Sequence, residues 1–402
     1  MEKLYLDNYR GFTDQYIEIC DVNFLVGENS TGKSSVLFAL KTIFSEKFWS
    51  ALDFSVSEGQ GYSFDDLVSA AKTNKSYFRL GYIFENENKT SFLFEFVNDG
   101  GKPSLSKAVL SQCDNTIYIN IAENKKTITY KNSNKKTLTF DEFESCHAWN
   151  ELKNVKQDIS PIVLVNIIAS NNPVFVFDSR QQSIDFTAPI RSKPRKTYDE
   201  PATHVSSEGG HIPYLLRRLF NENGASLRTS LNNFGKQSGL FNDIEIKDYG
   251  SGIDDVLFRL NFLLDKIPIN IVNLGYGVSQ VFPVLFNIFT GKDDVFEIQQ
   301  PEVYLHPKAQ AALGDVFFDI TIEKQEKKFY IETHSDYLID RFRQRQKKAA
   351  KKASAQVLFF SRTNGLNKAQ SIGIDQSGNY PNEQPPEFRD FFLTEAMENL
   401  GL

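Results

Sequence analysis

The sequence predicts an α/β chain with a mixed β-sheet core, an antiparallel β insert and a helical subdomain. Three observations lead there. A Gly-rich turn at residues 27–32 follows a mostly apolar run at 22–26 and precedes helical apolar spacing over 34–44. Residues 76–140 change to runs that alternate apolar and polar, with Asn, Asp, Gly and Lys between them. The last third then alternates strand-like and helix-like stretches.

Taken in order, residues 3–6 and 16–19 alternate as short strands, and a turn containing Gly11 separates them. Residues 22–26 read as a buried strand, and 34–44 as the helix after the turn. The runs 77–84, 91–96, 116–121 and 126–130 form the predicted antiparallel meander. Residues 141–180 return to mixed character, with a strand expected at 174–177. Residues 187–211 are loop-like, a helical stretch covers 212–234, and 244–247, 258–262 and 269–273 are strand candidates. Strands at 295–298, 329–332 and 357–361 alternate with helices at 307–323 and 335–350. The tail over 373–386 reads as irregular, and a short amphipathic helix at 387–400 closes the chain. This divides the chain into a lobe at 1–75, the β insert at 76–140, a helical lobe at 187–265 and a core at 266–402.

Composition narrows the class. The chain has 402 residues, 45 Lys+Arg against 51 Asp+Glu, and a net charge of −6. That excludes a wholly basic coat for nucleic acid, though not local basic patches. Cys20, Cys113 and Cys146 are too few and too scattered for a disulfide framework or a zinc cluster. The Cys146-His147 pair has no second pair to complete a metal site. The N-terminus lacks an apolar signal region, and no run of about 18 apolar residues occurs. A cytoplasmic protein is expected. No repeat and no long heptad stretch is present.

The strongest motif is Gly27-Glu28-Asn29-Ser30-Thr31-Gly32-Lys33-Ser34, which fits G-x-x-x-x-G-K-[ST] and runs on into Ser35. Glycines at this spacing let the backbone wrap closely, so that N–H groups and a helix N-terminus face phosphates. Lys33 then reaches the β/γ-phosphates and the Ser34 hydroxyl takes Mg²⁺. A second segment, Val295-Phe296-Glu297-Ile298-Gln299-Gln300-Pro301-Glu302, is an apolar strand with a polar end. P-loop ATPases place a metal-shell acid and a water-polarising carboxylate there, and here those positions hold Gln299 and Gln300. Glutamine can hydrogen-bond water but cannot accept a proton. Glu297 and Glu302 flank the pair, and strand alternation puts Glu297 and Gln299 on one face. A third, Leu274-Gly275-Tyr276-Gly277-Val278-Ser279-Gln280, opens an apolar helix-like run, another anion-binding arrangement. A fourth, Phe329-Tyr330-Ile331-Glu332-Thr333-His334-Ser335, ends an apolar strand in a polar cluster.

Together these motifs resemble the ABC-type ATPases, specifically the OLD/RecF-like prokaryotic group, in their order: phosphate loop, signature, acidic strand, switch histidine. The stretches NYRGF, GENSTGKSS, GYGVSQ, QPEVYLHP and ETHSDYLI carry the likeness over nearly the whole chain. It implies an ABC-type ATPase head that binds ATP and Mg²⁺ and forms a head-to-tail homodimer. Asn29, Ser30, Thr31, Gly32, Lys33, Ser34 and Ser35 would then hold the nucleotide. Gly277 and Ser279 of one subunit would cap ATP bound on the other. Ser34 and Gln299 would hold the metal, His334 would sense the γ-phosphate, and Gln300, or Glu302 in its stead, would occupy the catalytic position. Most members carry Glu at position 299 or 300 or both, so ATP binding is better supported than fast hydrolysis.

Two basic segments remain. Arg341, Arg343, Arg345, Lys347 and Lys348 belong to an acid-free stretch that suits either nucleic-acid phosphates or a solvated helix end. Arg191, Lys193, Arg195 and Lys196 lie in the long loop, after Pro189-Ile190. No nuclease signature is visible, and the sequence beyond His334 is short for a Toprim-type domain. The resemblance therefore implies an ATPase subunit of an antiphage system that controls a separate effector nuclease, as in Septu, PARIS or retron-associated systems. The alternative is a RecF-like DNA-repair ATPase that binds duplex directly.

Overall fold

The computed structural model describes residues 2–55, 62–71, 75–85, 90–112, 115–121, 128–133, 150–152, 184–199, 206–222, 224–249, 257–324 and 327–388. The first strands and helices are β1 (Glu2–Asp7), β2 (Gln15–Ile19), β3 (Val22–Gly27), α1 (Lys33–Ile43), α2 (Glu46–Ala51) and α3 (Phe64–Leu67). Then come β4 (Tyr77–Ile83), β5 (Ser91–Asp99), β6 (Lys102–Gln112), β7 (Asn115–Ile121), β8 (Ile128–Ser133), β9 (Asn150–Leu152) and β10 (Ile184–Thr187). Next are α4 (Ile212–Glu222), α5 (Ala225–Ser238), β11 (Asp243–Asp248), β12 (Phe258–Leu264) and β13 (Ile267–Asn270). The chain continues with α6 (Tyr276–Thr290), β14 (Val295–Gln299), α7 (Pro307–Glu323), β15 (Lys328–Glu332), α8 (Asp336–Lys348), β16 (Ala355–Thr363) and β17 (Leu366–Ile374).

These elements form two compact units. The first comprises Met1–Cys20, Gly27–Ser183 and Phe359–Ser371; the second comprises Asp21–Val26, Ile184–Leu358 and Ile372–Leu402. The first unit holds an eight-stranded antiparallel sheet, ordered β2-β1-β4-β5-β6-β7-β8-β9. The predicted antiparallel meander is present and continues the N-terminal hairpin, with Leu4 paired to Ile17 on one side and to Tyr82 on the other. Aromatic side chains cement it. Phe48 and Trp49 of α2 pack on Phe92, Phe94 and Phe96 of β5, with Trp49 5.2 Å from the Phe92 ring. Each such ring taken out of water contributes about 1.5–3 kcal/mol. The Trp49 indole N–H donates to the Ile43 carbonyl at 2.8 Å, so its polar edge is satisfied too.

The six-stranded sheet has the order β10-β14-β15-β3-β16-β17. In the second unit β10, β14, β15 and β3 run parallel, with Ile298 opposite Ile331 and Ile331 opposite Phe24. The apolar runs of β3 and β14 are buried almost throughout, as a parallel sheet covered on both faces requires. Helices α7 and α8 cross closely here: a Cβ on Gly314 would overlap the Leu338 carbonyl, and Phe318 meets Phe342 edge-on at 5.5 Å. A three-stranded antiparallel sheet, β11-β12-β13, accompanies α4 and α5.

Several sequence-based expectations change in detail. The helical stretch expected at 212–234 is two helices, α4 and α5, with Gly224 as the N-cap of the second. The strand expected at 269–273 ends at Asn270, whose side chain accepts from Val272 N–H and starts a single 3₁₀ turn. The tail expected to be irregular from residue 373 begins inside a strand, β17, that was not foreseen. The strand expected at 174–177 lies outside the described residues, as does the closing helix beyond residue 388.

Candidate functional site

In the first unit, the chain leaves β3 at Gly27 (φ 148°), where a Cβ would clash with the Phe360 carbonyl. Gly32 (φ 105°) is the left-handed N-cap of α1, and a Cβ there would lie 2.6 Å from the Phe12 ring and 2.8 Å from the Asn367 amide nitrogen. Both positions need glycine for conformation and for space. Between them, the Thr31 hydroxyl donates to the Glu28 carbonyl at 2.8 Å. The Lys33 side chain is 4% exposed, and its ammonium donates to the Gly27 and Glu28 carbonyls at 2.8 and 2.9 Å. The loop is thus closed on its own lysine. No side chain caps the start of α1. Asn29, Ser30 and Ser34 are exposed, Ser35 is half-buried, and Thr31 is buried. A backbone end with a positive partial charge, a lysine and exposed hydroxyls can hold a polyphosphate.

Sequence reasoning passed over the brace behind this loop. The Asn367 amide donates to the Arg10 carbonyl at 3.0 Å, and its backbone N–H donates to the Gly11 carbonyl at 2.9 Å. Arg362 donates to the Ser30 carbonyl at 3.3 Å. These partners are more than 300 positions apart in sequence, so no local pattern announces them.

In the second unit, the motif residues of β14 and β15 meet. The Gln299 amide donates to Glu297 Oε1 at 3.2 Å, as expected of neighbours on one strand face. Gln300 adopts φ 46°, and its N–H donates to the Glu332 carbonyl at 2.7 Å. Glu302 is buried, and its Oε1 accepts the His334 backbone N–H at 2.8 Å. His334 itself is exposed. Ser335 caps α8 by accepting from Leu338 N–H at 3.1 Å, and its hydroxyl donates to Gln310 at 2.6 Å.

Arg191, which the sequence marked in a basic loop and in the Pro189-Ile190-Arg191 element, joins this cluster. It is 3% exposed. Its guanidinium donates to the Gln299 carbonyl at 2.6 Å and the Gln300 carbonyl at 3.1 Å, and its backbone N–H donates to Gln280 Oε1 at 3.4 Å. Burial draws its pKa down to about 10, with Glu302 pulling the other way, so it stays cationic at neutral pH.

The signature segment opens α6 with Gly275 as N-cap. A Cβ on Gly277 would lie 2.8 Å from the Tyr304 carbonyl, so the helix start packs directly on the 300–305 turn. Gly277 and Ser279 are both buried within this chain, and the Ser279 hydroxyl donates to the Tyr276 carbonyl at 2.9 Å. The exposed groups at this end are Gly275 and the rings of Tyr276 (60% exposed) and Tyr304 (71%), whose centroids are 5.6 Å apart.

The basic segment on α8 is largely neutralised. Arg341 pairs with Asp315 at 3.0 Å, and Arg345 pairs with Asp315 and Asp319. Arg343 pairs with Asp340 at 2.8 Å and stacks on Tyr380. Lys347 and Lys348 remain exposed. The three arginines therefore have carboxylate partners within the fold and keep between 24% and 42% of their side chains exposed. Among the described residues no helix is long and apolar enough to cross a membrane, and no group of three or more His, Cys, Asp or Glu side chains could hold a metal ion.

Residues 1–339 match the AAA ATPase domain family. Among solved structures, the chain resembles an Smc head bound to the C-winged helix domain of ScpA (12% identity, 93% of this chain and 98% of that one, TM-score 0.50). An SMC head domain from Thermotoga maritima (12% identity, 92% and 98%) and an Smc head with an extended coiled coil derived from Pyrococcus furiosus (11%, 100% and 99%) both score 0.43. No curated protein matches by sequence. At these identities the likeness is one of fold, and it agrees with the mixed sheet, the phosphate loop and the order of motifs. The chain has a fold similar to that of an Smc head and belongs to the AAA ATPase domain family.

Proposed function

We propose that this chain is the ATP-binding subunit of an OLD/RecF-like antiphage defence system, cytoplasmic, and that ATP acts in it mainly as a ligand. The observation that carries the reading is the loop itself. Gly27 and Gly32 let the backbone wrap tightly at positive φ, Lys33 waits on two carbonyls, and Ser34 stands exposed on the first turn of α1. Phosphates that displace those carbonyls from Lys33 gain a charge-assisted contact. A divalent cation would arrive with the nucleotide, since no carboxylate cluster among the described residues could hold one alone. Ser34 is its ligand on the loop.

Hydrolysis is slow on this reading. Gln300 stands where a proton-accepting carboxylate is expected, and losing a general base typically lowers rate by about 10²–10⁴-fold. Glu302 is a poor substitute, because it is buried and its Oε1 holds the His334 backbone N–H, which leaves Oε2 alone to meet a water. Bound ATP therefore persists and favours a homodimer through the α6 end, and that dimer restrains a separate effector nuclease. The exposed Tyr276–Tyr304 pair supports a contact surface there.

The test is equilibrium binding of Mg–ATPγS by calorimetry, with the dimer fraction read by mass photometry. The full chain binds and shifts toward dimer, and Lys33→Ala, still folded by circular dichroism, loses at least about 100-fold in affinity. A full chain that takes up no nucleotide refutes the reading.

A further inference from the structure

Arg191 is a buried cation with no carboxylate in hydrogen-bond contact among the described residues; two of its guanidinium nitrogens donate to main-chain carbonyls. A buried charge of this kind is expensive, and well-packed apolar residues of similar size commonly replace one without loss of stability. Its position suggests what it provides instead. Gln300 is held in the left-handed region, sparsely populated for a non-glycine residue. Such a conformation persists only where the surroundings over-determine it. Here β15 holds the Gln300 N–H through the Glu332 carbonyl, and Arg191 holds its C=O and that of Gln299. The same residue's backbone N–H reaches Gln280 on the buried first turns of α6. The turn that follows packs on Gly277 through the Tyr304 carbonyl and holds His334 through Glu302.

We infer that Arg191 is a positioning residue that couples the signature end of α6 to the Gln299–Gln300 peptide units, so that a nucleotide-linked change at one reaches the other. The inference rests on the nucleotide reading above. Guanidinium suits the task because its planar fork spans two carbonyls, whereas a lysine ammonium is a single point of charge on a flexible stem.

Hydrogen exchange of the full chain with and without Mg–ATPγS tests it, read at residues 275–282 and 298–306. In the unmodified chain both segments change protection together when nucleotide binds. In Arg191→Lys, nucleotide affinity stays within about twofold, while the nucleotide response of 298–306 falls by about fivefold or more and that of 275–282 remains. Gln280→Ala, which leaves the guanidinium bonds intact, gives the same separation in weaker form and decides the matter should Arg191→Lys fold poorly. A purely structural role predicts a lower melting temperature with both segments still responding together; that result in both variants overturns the inference. If the unmodified chain binds no nucleotide, the functional reading falls and takes this inference with it. If it binds and the variants respond as it does, the inference alone falls.

Discussion

The phosphate loop and the end of β14 both follow a buried strand, yet they are built by opposite means. The loop is made of backbone: two glycines in positive φ, a helix start without a side-chain cap, and exposed hydroxyls. The strand end is made of side chains turned inward: Arg191, Glu297, Gln299 and Glu302 bond to one another or to main-chain groups, while Arg191 Nε and Glu302 Oε2 are buried without a partner among the described residues. One region is prepared to receive a ligand. The other is prepared to stay fixed. The difference teaches where specificity of geometry costs conformational freedom and where it costs buried polarity.

Mutations should separate the two. Gly27→Ala has the largest expected effect on stability, about 3 kcal/mol or more, because the added Cβ meets the Phe360 carbonyl and φ is unfavourable as well. Chemical denaturation measures it, and a loss under about 1 kcal/mol would show that the loop is less constrained than its geometry implies. Glu302→Ala comes next, at about 2–3 kcal/mol, since it strips the acceptor from His334 N–H and the nearby counter-charge from Arg191. Restoration by Glu302→Gln should be partial, because the amide oxygen can still accept from His334 while the charge is gone.

The smallest effect is a pH dependence at the other end of the strands. Asp185 on β10 is pushed up to about 6, first by burial and then by Asp293, against its bonds to Asn287 and Thr187. A carboxyl raised in the folded state holds a proton that the unfolded chain releases. Its favourable contribution is complete below the unfolded pKa near 4 and is lost as pH rises through about 6. Asp185→Asn should therefore stabilise by about 1–2 kcal/mol at pH 8 and by nearly nothing at pH 4. Thermal melts at the two pH values check this, and an equal gain at both would contradict it.

How much was legible in the sequence follows the same division. The phosphate loop could be read directly, because its conformation demands glycine at set positions and so writes itself into local spacing. The parallel strands were legible as apolar runs, and α7 fell where the apolar spacing placed it. The joining of the meander to β1 was not, since register between β1 and β4 depends on contacts about 75 positions apart. Arg191 was marked in a basic loop and in the Pro189-Ile190-Arg191 element, but its partners were not legible, because they lie more than 100 positions away. The β16–β17 hairpin carried a signal that was passed over: Asn364-Gly365, both at positive φ, is the residue pair that two-residue hairpins favour. Its strand alternates mostly exposed residues with a few buried ones, which reads as polar tail rather than strand. The partners of the basic segment were not legible for a simple reason. Sequence shows the cations of α8 but not Asp315 and Asp319, which α7 brings against them.

The central claim is that ATP serves here as a persistent ligand because Gln300 and Gln299 replace carboxylates. Steady-state turnover of the purified chain beside a Gln299→Glu/Gln300→Glu double variant, at saturating Mg–ATP, tests it most directly. The account predicts that the unmodified chain turns over at least about 100-fold more slowly than the double variant while binding ATPγS with similar affinity. Equal turnover by the two, abolished in both by Lys33→Ala, would contradict it and would place the catalytic base elsewhere in the chain.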